Sequence, residues 1–562
     1  MLSNKEISNL IKLNAQLLEL HNGNAFKIKT LVNAAFRLGR IEQQLFSLSQ
    51  DELEKIEGIG KGIAAKIVEI STTGTIIDLQ ELIAQTPAGV IDIMSIKGVG
   101  PKKVALIWKE LEVETVGELL YACKENRLVD IKGFGEKTQA EVIKAIEFKL
   151  QHSGQYHYAS IEVVANELLT QLHLIKGVSA VAITGDFYRK TPTISYLQYV
   201  VQCANVDFII AHCNTTYGNV TTAIDAYNNT ILNFTTDTSI NIQLVVSSVN
   251  SIAFNQLYYS FANGDGIFKL LNITAAQHNL ATETELFAHG GWPYIIPEIR
   301  EVCYAPTLLQ NTNANELVQL ANLRSILHFH TTYSDGKHTL TQMANHAQQL
   351  GFGYVGVCDH SQSAFYANGL TPDRVEQQHI EIEKLNKTYT PDFKIFKGIE
   401  CDILNNGDLD YTNDVLATFD FVVASVHSNL KMNKTKATER VLRAIHNPYT
   451  TILGHPTGRL LLSRPGYELE WAEIFKACAT KQVVIELNAH PYRLDLDWTL
   501  IHQAQQAGCM LSINPDSHEM QGFNDLQYGV HAARKGLLTK SNTFNTLNLQ
   551  EFELYLKTKK RG

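Results

Sequence analysis

The sequence predicts a multidomain α plus α/β protein. Helical domains come first, a mixed α/β region follows, and a (β/α) barrel closes the chain. A glycine-bearing turn recurs three times among helix-patterned segments of residues 1–150. From about Ser325 onward, short apolar strands alternate with helical stretches over about 240 residues, the pattern of a parallel barrel. With 562 residues, and about 150 per domain, three or four domains are expected.

Composition narrows the function classes. Met1 to Ala15 lacks the apolar run of a signal peptide, and no stretch reaches the ~18 uncharged apolar residues of a membrane span. The 8 cysteines form no CxxC pair, so neither a thiolate zinc site nor a disulfide framework is expected. A soluble, cytoplasmic protein without membrane contact is the expectation. The net charge of −9 is unevenly distributed. Residues 1–150 hold 19 basic and 20 acidic side chains, residues 321–562 hold 24 and 25, and residues 151–320 hold only 5 and 12. A surface that grips polyphosphate needs Lys and Arg density. The middle third, with Lys176, Arg189, Lys190, Lys269 and Arg300 alone, lacks it.

In the first 150 residues, Ile7, Leu10, Ile11, Leu17 and Leu18 follow helical spacing, and Asn14 interrupts the stripe. The repeated turns are Ile56-Glu57-Gly58-Ile59-Gly60, Ile96-Lys97-Gly98-Val99-Gly100 and Ile131-Lys132-Gly133-Phe134-Gly135, each followed by a helical pattern. The segments between copies do not match, which excludes a solenoid. In the middle region, strands are expected at Val178–Ile183, Tyr199–Val201, Phe208–Ile210 and Ile242–Val246.

Barrel strands are expected at Ile326–Phe329, Val355–Val357, Ile395–Gly398, Phe421–Ala424, Thr451–Leu453, Val483–Leu487 and Met510–Ile513. All but one run into a metal-ligand residue type. His328 and His330 close the first, with Asp335 behind them. Asp359-His360, Glu400 with Asp402, His427, His455 and Asp516-Ser517-His518 follow five others. The exception, Val483–Leu487, runs into Asn488. In H-x-H on a strand both imidazoles face one side. Nine candidates (His328, His330, Asp335, His360, Glu400, His427, His455, Asp516 and His518) exceed what one ion takes, so two or three divalent ions with a bridging carboxylate are expected. The mix of nitrogen and oxygen ligands without cysteine suits Mn²⁺ or Zn²⁺, and also Fe²⁺, over Ca²⁺. Closely spaced ions of this kind cleave phosphate esters. Arg459 and Arg493, just beyond metal-bearing or strand-end segments, are candidates to hold the phosphate.

The order H-x-H, SDG, DH, GIE, SVH, GHP, D-x-H resembles the PHP (polymerase and histidinol phosphatase) domain, with an acceptable ligand at all nine metal positions. The resemblance implies a (β/α)7-type barrel. Glu400, at the middle of the ligand order, is the candidate bridge. The three glycine turns resemble helix–hairpin–helix motifs, whose backbone N–H groups bind a DNA phosphate without reading sequence. Gly58, Gly60, Gly98, Gly100, Gly133 and Gly135 would form those turns, with Lys61, Lys66, Lys102, Lys103, Lys132 and Lys137 supplying charge.

The segment from Asn24 to Ala35 with the first hairpin looks like the lyase-type domain of X-family polymerases, and the chain end to end is similar to bacterial X-family polymerases, the PolX proteins. This implies a lyase-like domain at 1–80, a fingers-like domain at 81–150, a nucleotidyltransferase-like palm and thumb at 151–320 and a PHP domain at 321–562. The family's palm carries three aspartates. Here the corresponding positions read as Tyr196, Gln198 and Ile242, and no D-x-D occurs between residues 151 and 320. Nucleotidyl transfer needs carboxylates to hold its metals, so the palm is expected to be degenerate. The expected function is metal-dependent phosphoesterase action on DNA, a 3′→5′ exonuclease in repair working as a monomer on gapped DNA or 3′ ends. An active template-dependent polymerase, a small-molecule phosphatase of histidinol-phosphate type and a non-catalytic DNA-binding scaffold are the competing readings.

Overall fold

A computed structural model describes the chain apart from residues 1, 42, 97, 130, 132, 151–153, 226–228, 249–253, 264–265, 274–279, 390, 392 and 560–562. Lys97 and Lys132 of the hairpins therefore lie outside the described residues. The chain forms two compact units, Met1–Glu147 and Phe148–Gly562. No described helix is long and apolar enough to cross a membrane.

The first unit is helical. Its opening helix, Asn4–Leu20, starts at a capping box in which Ser3 and Glu6 satisfy each other's backbone N–H groups. Asn14 does not break it. The residue is buried on the core-facing stripe beside Ile7, Ile11 and Leu17.

The second unit contains two sheets' worth of function-bearing backbone. Residues 178–248 supply β1 (Val178–Thr184), β2 (Leu197–Cys203), β3 (Thr221–Ile224), β4 (Thr230–Thr235) and β5 (Asn241–Ser248). They form one sheet in the order β1-β2-β5-β4-β3, in which only β2 and β5 run parallel. One face carries Leu197, Tyr199, Val201, Ile242, Leu244 and Val246 into a core shared with the helices Tyr158–His173 and Val206–Tyr217. The expected strand Phe208–Ile210 belongs to that second helix. A short apolar run fits either element, and the Asn205 cap, which accepts from the Phe208 N–H, decides for helix.

The barrel follows with β6 (Ser325–Ile326), β7 (Tyr354–Val357), β8 (Lys394–Lys397), β9 (Glu400–Asp402), β10 (Val422–Ser425), β11 (Thr450–Leu453), β12 (Val484–Asn488) and β13 (Leu511–Asn514). Pairing is parallel throughout, β8-β7-β6 and β9-β10-β11-β12-β13. β8 and β9 are one strand interrupted at Gly398-Ile399. Bridges between His360 and Glu400 and between Phe329 and Ser517 join the two sets into a closed seven-stranded ring. Tyr354, Phe396, Phe421, Val423, Ile452 and Val484 form an apolar cluster closed by Phe544 and Phe552 of the C-terminal segment. Alternate residues (Val355, Ile395, Val422, Leu453, Ile485) pack with the helices instead. This is the two-residue period of a barrel wall. The ligand types predicted from sequence lie at the other end of these strands, after their C-termini.

Candidate metal centre and hairpin turns

Eight of the nine predicted ligands fall into three overlapping groups, His330, Asp335, His360 and His518; His328, His330, Glu400 and Asp516; and His360, Glu400 and His427. The ninth, His455, brings its Nε2 within 2.9 Å of Glu400 Oε1. Glu400 is the hub. Its Oε1 lies 3.5 Å from His328 and 3.1 Å from His427, and its Oε2 lies 2.9 Å from His360 and 3.7 Å from His330. Asp335 faces His360 at 3.5 Å and His518 at 3.3 Å.

The donor set fits divalent metal ions. Nε2 of His328, Nδ1 of His330, both oxygens of Asp335 and Oε2 of Glu400 are buried without a hydrogen-bonding partner. Each such group destabilises a fold by about 1–3 kcal/mol unless a ligand satisfies it. Asp516 has φ 50°, a left-handed backbone unusual for aspartate, and sits where His328 and His330 converge.

Three carboxylates behind the ligands were not assigned to the site from sequence. Glu486, fully buried on β12, takes His328 Nδ1 at 2.7 Å through Oε1 and the His455 backbone N–H at 2.7 Å through Oε2. Asp402 pairs with His427 Nδ1. Each pairing commits one ring nitrogen and turns the other toward Glu400, the carboxylate–histidine arrangement that orients metal ligands. Asp359 accepts from the N–H and hydroxyl of Thr331, from Ser334 and from Gln378, and so fixes the loop that presents Asp335. Asn488, the apparent exception among the strand ends, donates to Asp516 at 2.9 Å.

The electrostatics differ ring by ring. Burial disfavours a charged His328, but Glu486, Asp516 and Glu400 outweigh it and raise its pKa well above the usual value. His330, equally buried but facing His518 and His360, is pushed down to about 3. Replacing Glu486 by Ala should weaken metal retention by about 10- to 100-fold without removing a ligand. Competitive titration against a chelator, with circular dichroism to show an intact fold, checks this.

The arginines stand differently from their expected role. Arg459 donates to the carbonyls of Arg493 and Leu494 and pairs with Asp497, so its guanidinium is committed to its own loop rather than open to a phosphate. Arg493 is buried, and its carbonyl is part of that loop.

In the first unit the three hairpins share one geometry. Gly58, Gly98 and Gly133 have φ of 88°, 91° and 91°, a conformation that favours glycine. The N–H between the two glycines of each turn closes back on the carbonyl three residues earlier (Ile59 to Ile56, Val99 to Ile96, Phe134 to Ile131). Gly60 and Gly100 then cap helices Lys61–Thr73 and Pro101–Leu111, and Gly135 immediately precedes Glu136–Leu150. Among the described residues, apart from its chain neighbours and its own helix backbone, none lies within 4 Å of a Cβ placed on Gly60, Gly100 or Gly135, and none of the three has a positive φ. Neither contacts with described residues nor backbone conformation calls for glycine there. Lys61 and Lys137 are exposed at these helix starts. Lys102 lies 3.9 Å from Glu19, Lys103 sits over the Phe134 ring at 4.6 Å, and Lys66 shares Asp78 with Lys27.

Over 583 aligned positions the chain is 31% identical to the protein named DNA polymerase/3′-5′ exonuclease PolX of Bacillus subtilis (strain 168), covering 98% of this chain and 99% of that one. The chain belongs to the PolX family. Within this PolX chain, residues 3–76 match a helix-hairpin-helix domain, residues 90–147 a SAM-like helix-hairpin-helix tandem and residues 327–490 a PHP domain. The barrel alone is similar to a probable phosphatase of Thermoanaerobacter sp. (strain X514), 23% identical over 42% of this chain and 94% of that protein. It is also similar to a probable phosphatase of Clostridium acetobutylicum, 31% identical over 29% of this chain and 63% of that protein.

The sheet of residues 178–248 carries the residues read above at the three aspartate positions. Tyr196 is partly exposed just before β2, and Gln198 lies on the face opposite the helix-side core. Ile242 pairs with Leu197, points into that core and is buried. Gln243 is the partner of Gln198 in the parallel ladder. Gln198 donates to Gln243 at 2.6 Å, and Gln243 donates to Asn233 at 3.0 Å. The three amides form one row across the sheet. The neighbouring turn is occupied as well, since Arg189 pairs with Asp186 and lies 3.6 Å from Glu301.

Proposed function

We propose that this PolX chain is a DNA-repair nuclease whose working site is the PHP barrel, a 3′→5′ exonuclease with a silent polymerase palm. The observation that carries the reading is Glu400 within 3.7 Å of five histidines at the open end of a closed barrel. We assign residues 1–80 as the lyase-like domain, 81–150 as fingers-like, 151–320 as degenerate palm and thumb, and 321–562 as the phosphoesterase. His328, His330, Asp335, His360, Glu400, His427, His455, Asp516 and His518 would hold two or three divalent ions, Mn²⁺ or Zn²⁺ by ligand type, with Fe²⁺ also suited. When bound, such ions supply Lewis acidity to a phosphodiester and neutralise the charge that develops on its oxygens.

The chain's own part is positional. Glu486 and Asp402 hold His328 and His427 by their Nδ1 atoms, so that Nε2 of each faces Glu400. Asp516 is held by Asn488 and turns its other oxygen to His330 at 2.9 Å. The glycine hairpins take DNA phosphates at the helix starts without reading sequence. This would place the chain on gapped DNA or 3′ ends in the cytoplasm, as a monomer. The palm contributes no nucleotidyl transfer, because the amides of Gln198 and Gln243 do not replace metal-holding carboxylates.

Purified chain is expected to retain two or three divalent ions per molecule by elemental analysis. It should shorten single-stranded DNA from the 3′ end, and it should fail to extend a primer with dNTPs in Mg²⁺ or Mn²⁺. Robust extension would overturn the reading of the palm. Turnover confined to sugar or amino-alcohol phosphates would replace the nuclease by a small-molecule phosphatase. Unchanged metal content and nuclease activity in His328→Ala would place the activity outside this site and leave the barrel as a binding scaffold.

A further inference from the structure

The loop that follows His360 leaves the barrel and returns to it within ten residues. Ser361 bridges Leu370, the Leu370 N–H bonds the His360 carbonyl at 2.8 Å, and the Gly369 N–H bonds the Ala364 carbonyl at 3.0 Å. A Cβ on Gly369 would lie 1.9 Å from the Ser361 carbonyl oxygen, so the two limbs of the loop touch. Ser363 is pinned from both sides, its hydroxyl to Asp402 at 2.8 Å and its N–H to Asp410 at 2.7 Å. Arg374 ties Asn368 from below at 2.8 Å. The loop is therefore a built structure. At its tip it holds Phe365, 73% exposed, more than any other aromatic ring among the described residues of 148–562.

The exposed ring is not far from the cluster. The Phe365 ring meets Tyr366 edge to face at 5.8 Å, and Tyr366 meets His360 at 6.4 Å. Three rings in succession link His360 to the exposed tip of the loop. Leaving a phenyl ring in water is unfavourable, and a pinned loop that holds it there offers a preorganised face to a flat apolar partner. A nucleobase on the chain that carries the scissile phosphate is such a partner, since every base offers a π face and stacking is indifferent to sequence. A free phosphomonoester brings no ring to this position.

We propose that Phe365 is the stacking platform for a nucleobase at the 3′ end of single-stranded DNA, and so a specificity-determining residue of the barrel. The proposal rests on the nuclease reading above. It is tested with the full chain loaded with Mn²⁺, on three substrates. These are a single-stranded oligodeoxynucleotide, the same oligonucleotide with an abasic residue at either of its two 3′-terminal positions, and an oligonucleotide of the same length that is abasic throughout, whose phosphodiesters carry no ring. In Phe365→Ala, KM for the ordinary oligonucleotide should rise by about 10- to 100-fold, the range of one stacked base. Its kcat and its hydrolysis of the wholly abasic oligonucleotide should stay within about twofold. Phe365→Trp should restore KM. The wild type should lose a similar factor on one abasic substrate, and Phe365→Ala should lose nothing further there. Equal KM for Phe365→Ala and wild type on DNA, or equal losses on ordinary and wholly abasic DNA, would overturn the proposal. A metal-loaded wild type that degrades none of these oligonucleotides would overturn the nuclease reading itself, and the proposal with it.

Discussion

Glu400→Ala should abolish hydrolysis, lowering kcat by about a thousandfold or more and removing at least one ion per chain. The magnitude follows from its position. One carboxylate sits among His328, His330, His360, His427 and His455, so its loss removes the one anion that all five rings face. Several kcal/mol of charge stabilisation are at stake in such a centre, and each ~1.4 kcal/mol is a factor of ten in rate. Glu400→Gln separates charge from volume, since the amide fills the same space and carries no negative charge. Both variants are read by elemental analysis and by single-stranded DNA degradation under matched metal. Full metal content with full activity in either variant would mean that Glu400 is no part of the centre.

Glu301→Ala should lower stability by about 3–5 kcal/mol, because it leaves a buried charge without its counter-ion. Lys535 is 1% exposed at the end of the helix Leu526–Lys535. Its Nζ pairs with Glu301 and reaches the carbonyls of Glu298 at 3.2 Å and Arg189 at 3.5 Å. A helix of the barrel is thereby anchored to the turn that carries Arg189. Burial lowers the Lys535 pKa even with Glu301 opposing it. Without Glu301 the lowering deepens, and the folded chain then binds fewer protons than the unfolded one. Stability of the variant therefore rises with pH over the range below the ordinary lysine value of ~10.4. The deficit should be largest near pH 7 and shrink toward pH 10. Urea midpoints at several pH values check this. Adding Lys535→Met should recover much of the loss, because an apolar side chain needs no counter-ion.

The buried cluster of His, Asp and Glu was legible because a barrel places chemistry after its strands, and residue type plus strand end picks out its members without any distance. The hairpins were legible because three copies of one turn repeat a glycine that nothing else explains. Glu486 was not legible. It reads as one more residue within an apolar strand, and only barrel closure brings it to His328, 158 residues away in sequence. Asp402 was visible as a carboxylate near a strand end, but whether it ligates or backs a ligand depends on the neighbouring strand. The amide row was not legible either. It depends on the parallel register of β2 with β5, which pairs Gln198 with Gln243, and a slip of one would move each side chain to the opposite face. Arg459 looked free because the carbonyls that occupy it belong to a loop with no sequence pattern.

The amide row across this sheet also works as a side-chain ladder. Gln198 donates to Gln243 and Gln243 donates to Asn233, so one line of hydrogen bonds crosses three neighbouring strands. Exchanging Gln198 or Gln243 for aspartate removes the donor its neighbour accepts from and sets a carboxylate against an amide oxygen. Beside the row, Arg189 is held by Asp186 and lies near Glu301, the residue that holds Lys535 at the end of a barrel helix. The sheet is thereby coupled to the barrel through side chains, and a substitution in either one should register in the stability of the whole second unit.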